Sequence, residues 1–224
     1  MLKVDGSLWA AGSNTFGQLG TGLFSDNNYV FQKVLEEGVE GVAAGGLHTF
    51  VLKQDGSAWA TGRNVYGQLG LGSTETVCEF NQVLSDSVAA VAAGHSHSMI
   101  LKTDGSVWSA GNNVHGQLGD ATTKQRSNFV KVVASGANGV IAGFGHSVVL
   151  AKDGGVWATG WNLYGQYGIS SKQASKIFVA VARIYGNSDR YVITASQEEV
   201  DSPAPVTKDA TKGSSRDSSA FCAF

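Results

Sequence analysis

The sequence predicts an all-β fold: a propeller-type array of four-stranded antiparallel blades, three full and a fourth partial. Three observations predict it. A unit of about 50 residues recurs four times, with its tryptophan at Trp9, Trp59, Trp108 and Trp157, so that successive copies lie 50, 49 and 49 residues apart. Each full unit contains four apolar, β-branched segments of strand length and no helical period. Glycines recur at matched places around Gln-Leu or Gln-Tyr (Gly17, Gly67, Gly116 and Gly165, with Gly20, Gly70, Gly119 and Gly168), where a loop needs reversals closed to residues with a Cβ.

The chain opens on a short strand, the turn Asp5-Gly6, and a strand carrying Leu8 and Trp9. Asp-Gly predicts a two-residue type I′ hairpin, whose two central residues both need positive φ. Later copies have a fuller strand before the turn. His48 to Lys53 leads to Asp55-Gly56, His97 to Lys102 leads to Asp104-Gly105, and His146 to Ala151 leads to Asp153-Gly154. Each histidine stands 11 residues before its tryptophan, an offset expected of a hairpin. Upstream lie Val42-Ala43-Ala44-Gly45, Val91-Ala92-Ala93-Gly94 and Val140-Ile141-Ala142-Gly143, small-residue strands suited to close backbone packing. A fourth segment precedes them: Tyr29 to Val34, Phe80 to Leu84, or Phe129 to Val133. Four antiparallel strands per repeat make a propeller blade. The tryptophans are expected to pack between adjacent blades, where each ring buries on the order of 150–250 Å².

After Gly168 the pattern fades. Residues 177–181 and 190–194 match the two strands around the usual Gly-x-x-His, with Gly186 and Asp189 in the glycine and histidine places. From Ser196 the chain turns to Ser, Thr, Pro, Asp, Glu and Lys, too little apolar surface to offset ordering. The expected division is a repeat array over 1–195 and a disordered tail over 196–224.

Sixteen Lys+Arg against 18 Asp+Glu, a net charge of −2, and their scatter along the chain argue against a nucleic-acid or acidic-membrane partner. Two cysteines, Cys78 and Cys222, make neither a disulfide framework nor a zinc pattern. The first residues enter the repeat at once and no run of about 18 apolar residues occurs, so an intracellular, soluble protein of cytoplasm or nucleus is expected. His95-x-His97 has a metal-like spacing. His97, however, has repeat equivalents at His48 and His146, which predicts a structural hydrogen bond in every blade and leaves only His95 extra. No nucleophile-base set and no phosphate loop can be nominated, and neither a cofactor nor a metal is called for.

The positions that vary inside the fixed frame carry the binding expectation. Between the fixed Gly and Asn stand Ser13, Arg63, Asn112 and Trp161; before the fixed Gly-Gln stand Phe16, Tyr66, His115 and Tyr164. Equivalent loops on a rigid array should bring these eight to one face, where side chains are presented at little ordering cost.

The pattern Val-Ala-Ala-Gly-x-x-His-(Thr/Ser), Leu-Lys-x-Asp-Gly-Ser-x-Trp, Gly-x-Asn-x-x-Gly-Gln-Leu-Gly over residues 42–70 and 91–119 resembles the regulator of chromosome condensation repeat. The resemblance covers roughly residues 1–195. It implies propeller blades, usually seven to a ring, and a founding member that is a guanine-nucleotide exchange factor for the Ran GTPase and docks on nucleosomes. Seven units need about 350 residues, so an incomplete member is implied. Blades shaped for seven-fold closure turn by about 51° each, and four would have to turn by about 90°, which predicts an open arc whose ends invite self-association. Light-sensing plant members carry Gly-Trp-Arg-His-Thr where this chain has Gly45-Gly46-Leu47-His48-Thr49 and its equivalents, so photoreception is not expected. The functional expectation is a non-enzymatic protein-interaction module. The alternatives are an exchange regulator of a small GTPase, for which no residue can be assigned, and a truncated product without independent function.

Overall fold

The computed structural model describes residues 1–187 and 190–194; the tail expected over 196–224 lies outside the described residues, as does Asp189. Fifteen strands and no helix make up the described chain, and no helix is long and apolar enough to cross a membrane.

The second sheet shows the plan of a blade. Its strands β3 (Val39–Ala44), β4 (His48–Lys53), β5 (Ala58–Gly62) and β6 (Val77–Leu84) follow one another antiparallel, each beside the next, from inside to outside. The same order is kept by β7 (Val88–Ala93), β8 (His97–Lys102), β9 (Val107–Gly111) and β10 (Arg126–Val133), and by β11 (Ala137–Ala142), β12 (His146–Ala151), β13 (Gly155–Gly160) and β14 (Ser175–Asn187). The first sheet is the partial one, with only the two outer positions, β1 (Leu8–Gly12) and β2 (Asn28–Leu35). Three full blades and a partial fourth are therefore present, in an array in which no strand of the first sheet pairs with the last. The arc is open.

Two expectations are corrected. Residues 177–194 do not supply inner-type strands. β14 runs on for 13 residues as the outer strand of the last blade, pairing Trp157 with Ala180, and β15 (Arg190–Thr194) folds back on it as a fifth strand. The partial blade thus stands at the start of the array. The Asp-Gly turns are also not type I′. Gly56 N–H donates to Lys53 O and Lys53 N–H to Ser57 O, both 2.9 Å. The loop is therefore Gln54-Asp55-Gly56, a type I turn closed by a left-handed glycine bulge. Only the glycine needs positive φ: Gly6, Gly56, Gly105 and Gly154 lie between 77° and 84°, and none of the four turn aspartates is left-handed. The aspartate instead works through its carboxylate, which accepts from the Ser57 amide at 2.8 Å and its hydroxyl at 2.6 Å. At Gly105 a Cβ would lie 2.9 Å from Gly136 N. Gly105→Val should cost on the order of 1–3 kcal/mol, and an unchanged denaturant midpoint would contradict this turn.

The core lies between blades, as small facing side chains require. Leu8, Val39 and Val51 pack with Trp59 and Phe80 across the first seam. Phe50, Leu69, Val88 and Ile100 pack with Trp108 and Phe129 across the second. Met99, Val107, Ala137 and Val149 pack with Trp157 and Phe178 across the third. The tryptophans are thus half-buried seam residues. The indole N–H of Trp59 donates to Ser57 Oγ at 2.9 Å, and Lys53 Nζ stands 4.4 Å over its ring.

Polar contacts repeat the register from seam to seam. His48 Nε2 meets Ser98 Oγ of the next blade at 2.8 Å, and His97 meets Ser147 at 2.9 Å. Because the Ser147 hydroxyl donates to Gln117 O at 2.7 Å, it accepts from His97, whose proton therefore sits on Nε2. The structural bond expected of the repeat histidine is present at these two positions, and it joins blades.

Candidate binding face

The loop between β5 and β6, and its three equivalents, carries the variable positions. Its fixed residues explain why it can. Asn64 is fully buried, and its Oδ1 accepts the Leu69 amide at 2.9 Å; Asn14, Asn113 and Asn162 do the same for Leu19, Leu118 and Tyr167. Each fixed Gln accepts the amide of the residue two positions earlier, so Gln18, Gln68, Gln117 and Gln166 hold the backbones of Phe16, Tyr66, His115 and Tyr164 at 2.9–3.1 Å. A buried amide left unpaired costs more than one made gains. The loops are consequently stiff, and the variable side chains stand on anchored backbone.

The structure brings most of the eight expected residues into two contiguous groups. In the first, the Arg63 guanidinium lies 5.3 Å from the Phe16 ring and 5.8 Å from the Tyr66 ring, and its Nε is buried without a hydrogen bond. A cation so placed is held by the ring quadrupoles, worth about 0.5–2 kcal/mol, while its remaining donors stay available. In the second, His115 stacks on Trp161 at 5.0 Å with 18° between planes, and Tyr164 follows at 5.5 Å. Between the groups lies an open groove of about 210 Å³. Asn112 lines it, with Oδ1 accepting the Val114 amide at 3.0 Å. Ser13 is exposed at the matching place on the first sheet.

Two members of the face were missed in the sequence. His95 and Phe144 also line the groove; their rings are 4.4 Å apart, and Phe144 reaches Trp161 at 5.9 Å. Phe144 is 61% exposed and Tyr164 77%, an unusual cost for aromatic surface unless something covers it. The missed signal is a third variable position, the residue after the glycine of Gly-x-x-His, occupied by Gly46, His95 and Phe144. The two histidines of His95-x-His97 make separate contacts, His97 Nε2 with Ser147 Oγ and His95 Nδ1 with Ser96 Oγ, both at 2.9 Å.

On the turn rim Asp5, Asp55 and Asp104 are held below the usual carboxylate range, chiefly by hydrogen bonds from Ser7, Ser57 and Ser106. They stay ionised at neutral pH. The loop rim presents Arg63, two imidazoles and aromatic faces. Among the described residues no group of three His, Cys, Asp or Glu could hold a metal. The loop rim is suited to noncovalent recognition.

Models of the regulator of chromosome condensation (RCC1) repeat match residues 5–52 and 55–101 in one form and 39–68, 88–117 and 130–166 in another. No characterised protein in the curated set matches. Among solved structures, yeast RCC1 (Prp20) bound to Kap60 superposes with a TM-score of 0.66 at 23% identity, covering 80% of this chain and 47% of that one. Prp20p from Saccharomyces cerevisiae, in a structure described with its binding to Gsp1p and histones, gives 0.67 at 23% identity, with 80% and 48% covered. Human WBSCR16 gives 0.70 at 19% identity, with 83% and 53% covered. The chain spans about half the length of these propellers, and at such identity the likeness speaks for the fold. Repeat models that together span well over half of the residues agree with the blade order, and the chain belongs to the regulator of chromosome condensation (RCC1) repeat family.

Proposed function

We propose that this chain is a non-enzymatic protein-interaction module that binds its partner through the loop rim. The observation that carries the reading is the continuous run of aromatic and cationic side chains, Phe16, Arg63 and Tyr66 on one side of the groove and His115, Trp161 and Tyr164 on the other, on backbone pinned by buried Asn and Gln. Trp, Tyr and Arg are the side chains that dominate binding energy when a partner desolvates them, and stiff loops lose little entropy on binding. A photo-crosslinker placed at Val114, which is exposed beside the groove, should capture the partner from cell extract. The captured protein, purified, should then bind the Arg63→Ala, Trp161→Ala double variant on the order of 10²-fold more weakly. Equal affinity for that variant, with its fold intact, would defeat the proposal.

A second reading is exchange regulation of a small GTPase, implied by the family's founding member and supported by the likeness to Prp20p, whose structure is described with its binding to Gsp1p. Such a regulator acts on a partner's nucleotide affinity and needs no covalent residue. Release of fluorescent GDP from a panel of small GTPases would establish it; release unchanged by the chain across the panel leaves the interaction module alone.

A further inference from the structure

The groove on the loop rim takes its walls from three successive blades. Arg63 and Tyr66 come from the loop between β5 and β6, His95, Asn112 and His115 from two loops of the next blade, and Phe144 from the blade after that. At about 210 Å³ the groove is smaller than the about 300–1,000 Å³ that drug-sized ligands occupy. It has room for one or two side chains of a partner.

Its charge is one-sided. Among the described residues no Asp or Glu lines it, and none occurs in the loops that build this rim, residues 45–48, 62–67, 94–97, 111–116, 143–146 and 160–165, although the chain has 18 acids. Arg63 is the only Lys or Arg in the same stretches. Arg126 and Arg183 pair with Asp120 and Asp153, whereas Arg63 has no ion pair among the described residues and its Nε no hydrogen bond. The Phe16 and Tyr66 rings hold the guanidinium in place, which reduces the entropy lost when its terminal N–H groups engage a partner.

We propose that the groove receives an Asp or Glu side chain from a short extended segment of the partner protein. The Arg63 guanidinium donates two hydrogen bonds to the carboxylate, and an apolar or aromatic neighbour in that segment lies against Phe144 and Trp161. The inference rests on the loop rim being the binding face, and names the chemistry that face selects. A carboxylate carries the single charge that one guanidinium matches, in a bidentate geometry that Arg provides and Lys does not. A phosphorylated side chain carries about 1.5–2 negative charges, and single-stranded nucleic acid one at every phosphate; each would need further Lys or Arg, which these loops lack. A basic segment would set like charge against Arg63. The apolar neighbour follows from exposure, because Phe144 is 61% exposed and its ring lies 4.4 Å from His95 and 5.9 Å from Trp161, a platform open to a partner side chain.

The test is selection of random ten-residue peptides on the full native chain. Retained sequences should carry Asp or Glu within about three positions of an aromatic or large aliphatic residue, the reach of about 10 Å of extended chain. The tightest peptide, labelled for fluorescence anisotropy, should bind on the order of thirtyfold more weakly when its acid is replaced by the amide. Arg63→Gln should cost the acidic peptide a similar factor and the amide peptide nothing further. Arg63→Lys, which keeps the charge without the fork, should lose less than Arg63→Gln, a graded loss that misfolding does not give. Phosphoserine in place of the acid should not tighten binding, and a ten-nucleotide oligothymidylate should bind more weakly than the peptide. A library from which nothing is retained, peptides without an acid bias, losses that multiply instead of coinciding, or tighter binding of the phosphoserine peptide or the oligonucleotide would each overturn the proposal. Where peptides without an acid bias still bind the Trp161→Ala chain more weakly, the loop rim stands as the binding face and only its selectivity for a carboxylate is refuted.

Discussion

Gly70→Val should remove roughly 3–5 kcal/mol of stability, enough to unfold much of an array held by the usual 5–15 kcal/mol. Two costs add there. The glycine sits at φ 71°, where a β-branched residue is strained, and its missing Cβ is the space into which the Phe129 ring packs. Phe129 lies against the cluster of fully buried Phe50, Leu69 and Ile100, so it cannot withdraw without opening the second seam. Gly168→Val separates the costs. Its φ is 70° and among the described residues nothing lies within 4 Å of a Cβ there, so it should show the strain alone, about 1–3 kcal/mol. Urea midpoints for the two variants measure the difference. Equal losses would mean that the glycines are kept for backbone conformation and that the ring contact contributes nothing.

That pair of positions also shows what could be read from the sequence. The glycine of Gln-Leu-Gly or Gln-Tyr-Gly and the outer-strand phenylalanine are ten residues apart at Gly70 and Phe80, at Gly119 and Phe129, and at Gly168 and Phe178. The last of these identifies Phe178 as outer strand, where the fading repeat suggested an inner one. The blade plan, the histidine hairpin and the seam tryptophans were legible because one backbone geometry needs them in every copy. The turn type was not, because Asp-Gly serves both a two-residue and a three-residue loop, and only the bond from Gly56 N–H to Lys53 O decides between them. Nor was it visible that the Gly-x-x-His loop and the Gly-x-Asn loop share a rim. That follows from how β4 and β5 pair, His48 opposite Gly62, which sets residue 47 beside residue 63 and, one blade on, His95 and Phe144 above the same groove. The eight candidate residues were found by variation within a fixed frame. The frame itself proved to be their support, since the fixed Asn and Gln are the side chains that hold those loops.

Lowering the pH from 7 to about 4.5 should destabilise the array by several kcal/mol through its buried histidines. His48 and His97 are 1% and 0% exposed, and burial, with smaller contributions from neighbouring imidazoles, brings them down from 6.5 to about 4 and about 3; burial lowers His146 as well. The geometry explains why a proton is unwelcome. Nε2 of each ring is already hydrogen-bonded to the serine of the next blade, His97 as the donor to Ser147, and Nδ1 of both rings is buried with no partner. Because the folded values lie below the unfolded one, the stabilisation is full above about 6.5. It is lost as pH falls from there toward about 4 for His48 and about 3 for His97, each ring removing on the order of 1.4 kcal/mol per pH unit in that window. The aspartates hydrogen-bonded by serine or threonine, such as Asp55 and Asp120, are lowered from 3.8 and contribute only below that range. A His48→Gln, His97→Gln double variant keeps an amide donor for each serine and removes the titration. It should be less stable than the native chain at pH 7 and nearly flat between pH 6.5 and 4.5. Urea midpoints across that range decide the matter, and a native chain as flat as the variant would show that the buried rings accept protons without opening the seams.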